Sequence, residues 1–138
     1  MLKPVLCIVL TLAATQSLLG DESPVRRLHN KDIGWFGGPL GLHPSFSEHA
    51  KRIRKKEVAI DVRELVPLLD DPDRFVVAHV LLVELASEHA TISSDAGKWH
   101  SLHVELASAD APPNAATYDL KDMPILKKYW QKQLKLKE

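Results

Sequence analysis

Residues 72–87 carry the feature that most constrains this chain. Val76, Val77, Ala78, Val80, Leu81, Leu82, Val83, Leu85 and Ala86 make the segment apolar around most of a helix. A helix without a broad polar face has to be enclosed by other elements rather than laid on a surface. Asp73, Glu84 and Glu88 leave a narrow wet stripe near Val77. The preceding Asp70-Asp71-Pro72-Asp73 reads as a stop and restart. Asp71 suits an N-cap, Pro72 the first helical position, and Asp73 complements the positive end of the helix dipole. The pattern predicts a central helix over about 72–87 and a fold that wraps it.

The wrapping must come from a short chain. Lys3, the apolar run Val5 to Ala14, the polar Thr15-Gln16-Ser17 and the acids Asp21-Glu22 follow the order of a secretory signal. The run is shorter than the ~20 residues a membrane-spanning helix needs. Residues 1–20 are therefore expected to be a signal peptide, cut after Gly20 or, alternatively, after Ser17. The expected location is periplasmic or extracellular. Cys7, the single cysteine, falls within the leader, so disulfides and thiolate chemistry are excluded from the mature chain. The remaining chain of about 118 residues has room for one core, which points to a single small domain.

Residues 21–44 hold three prolines and four glycines and read as an extended arm or loop. Within it Trp35 and Phe36 either enter the core or form a binding knob. Residues 45–138 read as a mostly helical domain. Ser45 and Glu48 have capping-box spacing, and Phe46, Ala50 and Ile53 line one helical face. Helical spacing continues through Val58, Val62, Leu65 and Leu69, with a break expected near Pro67. Over 99–106 the period changes to two. Leu102, Val104 and Leu106 alternate with His103 and Glu105, predicting a strand that pairs with 116–120, although a helix over 99–107 also fits. A last helix starts at Asp122-Met123-Pro124, with Ile125, Leu126, Tyr129, Trp130 and Leu134 on its apolar side. The expected fold class is mainly α with a small β-hairpin.

The run Val62-Arg63-Glu64-Leu65-Val66-Pro67-Leu68-Leu69-Asp70-Asp71-Pro72-Asp73-Arg74-Phe75-Val76-Val77-Ala78 resembles a HEAT-type repeat. That family joins a leucine-rich helix to a Val/Ala-rich one through an Asp-Pro-Asp turn. The resemblance covers about residues 58–88, and no second copy occurs. It implies a HEAT-like helical hairpin with flanking helices and a protein-interaction or scaffold surface, and it implies no catalytic residues.

Charge is segregated, although it sums to zero over the chain. Residues 21–56 hold eight Lys/Arg and four Asp/Glu, residues 57–125 four and thirteen, and residues 126–138 five and one. Basic ends therefore flank an acidic middle. Lys51, Arg52, Arg54, Lys55 and Lys56 are the candidate interaction face, either for an anionic partner or as a balance to the acidic middle. Nucleic acid is not expected as a partner of an exported protein. No His-Glu-x-x-His, Gly-x-Ser-x-Gly, EF-hand or phosphate-loop pattern occurs, so no catalytic, cofactor or metal site is assigned. His100 and His103 would point to opposite faces of a strand. Two function classes follow: an exported interaction or scaffold module with an unknown protein partner, and a peripheral protein that meets anionic membrane surfaces through its basic helices. An enzyme with an unrecognised site is the remaining alternative.

Overall fold

The computed structural model describes residues 23–38, 41–86, 98–106, 112 and 115–136. The leader, residues 91–97 and the sequence-expected loop over 109–115, apart from residues 112 and 115, lie outside the described residues. The described chain is a small mixed α/β domain. This corrects the expectation of a mainly α fold with one hairpin, because five strands form two small sheets.

The first sheet lies where an arm was expected. Strand β1 (Ile33–Gly38) pairs antiparallel with β2 (Gly41–Phe46), with Trp35 opposite Pro44 and Gly34 opposite Ser45. Alternation along β1 settles the two aromatics: Trp35 is buried, whereas Phe36 points outward and is half exposed. Glycine-rich sequence masked this strand, since period-two patterning needs side chains to be seen. Ser45 is committed to β2, so the capping box expected from it does not form. Ser47 caps helix α1 (Glu48–Arg54) instead, its Oγ accepting from the Ala50 amide at 3.2 Å. Asp32 accepts from the Ser47 hydroxyl at 2.6 Å, tying the helix start to the turn before β1.

Helix α1 ends before Lys56, which has a φ of 62°. The helical periodicity read onward from Val58 belongs to a separate nine-residue 3-10 helix, Val62–Asp70, with Pro67 inside it. Leu65, Val66 and Leu69 are its buried residues. The segment expected as the first arm of a HEAT-like hairpin is thus a tighter helix. Its i→i+3 bonding lets these three residues face α2 while Pro67 stays outside.

Helix α2 (Phe75–Ala86) is the centre of the domain; Phe75 to Leu82 are all 0–1% exposed. Its start lies three residues later than expected. Asp71 Oδ1 accepts from the Asp73 amide at 2.9 Å, organising the turn ahead of the helix rather than its cap. The helix end is capped from 46 residues away: Asn30 Oδ1 accepts from the Val76 and Val77 amides at 3.0 and 3.3 Å. The Asn30 Nδ2 and backbone amide donate to the carbonyls of Pro72 and Asp73, each at 2.8 Å. Four orphan backbone groups are satisfied by one residue, which allows Val77 to be buried where a wet stripe was expected.

The second sheet has order β3-β4-β5: Lys98–Trp99, Leu102–Glu105 and Thr117–Tyr118, antiparallel throughout. The single strand expected over 99–106 is interrupted by a two-residue turn, with His100 and Ser101 at φ 45° and 71°. Positive φ at both central positions is the hairpin turn whose twist matches the flanking strands. Leu102 and Val104 face the core, and His103 and Glu105 face out. Helix α3 (Asp122–Gln133) closes the domain with Leu126 and Trp130 against the core. The two sheets are joined through side chains. Trp35 Nε1 donates to the Tyr118 hydroxyl at 2.9 Å, and Trp35 meets Trp99 edge-on with centroids 5.5 Å apart.

Candidate functional site

The basic residues read from the sequence as an interaction face are distributed over two settings. Lys51 pairs with Glu48 at 3.6 Å, and the Arg54 guanidinium lies 4.7 Å from the centroid of the Phe46 ring. The Arg54 charge also draws the Glu84 pKa down, against a larger rise caused by burial. Arg52, Lys55 and Lys56 are exposed, the last two in the turn after the helix. The helix itself therefore offers one fully outward cation, and two more follow it.

A concave site forms elsewhere, between the His100–Ser101 turn and α3. Its volume is about 180 Å³. His79, Val83, Leu126 and Trp130 line its inner part, and His100, Ser101, Ile125 and Tyr129 also border it. Ile125 and Tyr129 are 60% and 50% exposed. They lie four residues apart, so they stack on one face of α3. The turn residues reach the site because the hairpin bends there, and a continuous strand would have carried His100 away.

His79 fixes the floor. It is 1% exposed. Its Nδ1 accepts from Trp130 Nε1–H at 2.9 Å, and its Nε2 faces the His100 carbonyl at 2.9 Å. The indole can only donate and the carbonyl can only accept, so the neutral Nε2–H tautomer satisfies both contacts. Burial pushes its pKa down to about 4, more strongly than the hydrogen bond to His100 raises it. The imidazole is thus neutral, saturated with hydrogen bonds and not free for acid–base work near neutral pH. The floor is rigid and uncharged.

A second arrangement lies on the outer side of β4. Asp122 is 3% exposed, and its Oδ2 accepts from the His103 amide at 2.8 Å. Its two oxygens also lie 2.9 and 3.0 Å from His103 Nδ1. This carboxylate locks α3 to the hairpin and turns His103 Nε2 outward, where no described residue hydrogen-bonds it. An aspartate-oriented imidazole is one part of a hydrolytic constellation. Among the described residues no hydroxyl or thiol hydrogen-bonds His103, although Thr117 and Tyr118 line the same depression, and no group of three or more His, Cys, Asp or Glu is arranged to hold a metal ion. What is present accounts for Asp122 as a structural tie.

The sequence reading found neither the cleft nor the Asp122 tie. Ile125 and Tyr129 were assigned to the apolar side of the last helix. The usable signal was their offset: Leu126 and Trp130 lie on an adjacent stripe, and one helix cannot bury both stripes against one neighbour. In comparisons with known proteins, no family model, curated protein or solved structure matches the chain.

Proposed function

We propose that this chain is an exported protein-interaction module that captures one bulky apolar side chain of a partner protein in the cleft beside α3. One observation carries the reading: two large apolar residues of α3, Ile125 and Tyr129, stand exposed at the edge of a concavity with a neutral, fully hydrogen-bonded floor. Exposed apolar groups around a depression mark binding surfaces more often than a scattered single residue does. The size fits one side chain, since a cavity of about 150 Å³ accepts a benzene-sized group. Trp130 and His79 supply ring faces and edges for an aromatic or branched guest. Export rests on the leader sequence.

The test is selection of binders from a random twelve-residue peptide library on the mature protein, followed by NMR titration of the selected peptides. Enriched peptides are expected to share a bulky apolar residue and to shift the Trp130 indole N–H resonance. Ile125→Ser should remove that response while leaving the unfolding midpoint unchanged. Selected peptides that bind without disturbing Trp130 would overturn the reading.

A further inference from the structure

The exposed side of α3 says more about the partner than the cleft alone. At about 100° per residue, Lys121, Lys128 and Lys132 project within roughly 60° of Ile125. They follow one edge of the Ile125–Tyr129 stripe, and the cleft follows the other. All three lysines are exposed, and among the described residues their side chains make no ion pair. Lys127, on another face, is held by Asp70. The only carboxylate within 121–136 is Asp122, which is buried and engaged with His103. No acid on α3 therefore offsets this row, and its three like charges, spread over about three turns, leave an unbalanced positive edge for an anion.

We infer that the partner of the cleft is an acidic protein segment, in which the bulky apolar anchor is flanked by Asp or Glu residues that lie along Lys121, Lys128 and Lys132. The inference rests on the cleft reading above and adds the partner's charge. Charge complementarity points to an anion, and shape selects a peptide over a lipid surface. The cleft, at about 180 Å³, matches a single bulky side chain in size. The floor supports this: its hydrogen bonds are internal, so the guest is recognised by fit, and the lysine row supplies orientation and encounter rate.

The experiment compares peptide selection on the wild type with selection on Lys128→Glu/Lys132→Glu, both as folded mature protein. Wild-type binders should be enriched in Asp and Glu beside the anchor, and their affinity should fall steeply as salt is raised, because the lysine field extends over about 8 Å at physiological ionic strength. The double variant should bind those peptides at least about tenfold more weakly and should select neutral or basic peptides with the same anchor. Anchored peptides that shift Trp130 but show no acidic bias, and bind both proteins equally, would overturn the acidic-partner inference and leave the cleft reading standing. Peptides that ignore Trp130 would overturn both. Vesicles of phosphatidylcholine with and without phosphatidylglycerol form the last arm. Binding to the anionic vesicles through Ile125 and Tyr129, with no acidic-peptide binding, would replace the protein partner by a membrane surface.

Discussion

Acidification should destabilise this domain in part through His79. Unfolded, its imidazole titrates near 6.5; folded, burial holds it neutral down to about 4. The folded pKa is the lower one, so between these values the unfolded chain binds the extra proton and the native state does not. Stability then rises with pH across the window and falls as pH drops from 6.5 toward 4. Above 6.5 both states are neutral and the contribution is flat. At pH 5 the difference amounts to about 2 kcal/mol, and it approaches about 3 kcal/mol at pH 4. Small domains hold only about 5–15 kcal/mol in total, so the loss is measurable. Urea unfolding followed by tryptophan fluorescence at pH 7.5 and pH 5 reads it as a drop in midpoint of roughly 1 M, given slopes of about 1–3 kcal/mol per M. Other groups titrate in this window too, and His79→Leu isolates the term. That variant should be weaker at pH 7.5, because Trp130 Nε1–H and the His100 carbonyl each lose a partner, at about 1–3 kcal/mol per buried group. Its further loss on going to pH 5 should be smaller than the wild type's by about 2 kcal/mol. Equal losses in the two proteins would show that His79 is not held neutral, and the rigid-floor argument would fail with it.

Asn30→Ala should cost about 1–3 kcal/mol by uncapping α2 and leaving the Pro72 carbonyl short of a partner, while the backbone bond to the Asp73 carbonyl is kept, and hydrogen exchange should localise the loss to the Val76 and Val77 amides. Val80→Asp should cost several kcal/mol through an unpaired buried charge, which thermal melts would show as a large fall in midpoint. Asp122→Ala should loosen the hairpin against α3 by about 1–3 kcal/mol, visible as faster exchange of the His103 amide. Arg52→Glu/Lys55→Glu should leave the melting midpoint within about 1 kcal/mol of wild type, since exposed charges contribute little. A larger fall would mean that these cations balance the acidic middle of the chain.

The enclosed helix was legible from its residues alone. Nine apolar positions between 76 and 86 cannot all be accommodated at a surface, and the structure buries seven of them, leaving Leu85 half-buried and Ala86 exposed. The alternation at Leu102 to Glu105 was equally plain, because side-chain polarity records which way a strand faces. What tertiary structure decided has a common cause: each such feature depends on pairing or packing against another element, which the residues of the segment itself do not record. Glycine-rich β1 became a strand because β2 lay opposite it. Asn30 became the cap of α2 only after folding placed it 46 residues upstream in contact with the helix. His100 and Ser101 took positive φ because the strands on either side paired, and that bend brought them beside α3. Ile125 and Tyr129 read as core residues from spacing alone. Helical periodicity says which side chains share a face, and only the packing of the other elements says whether anything covers it.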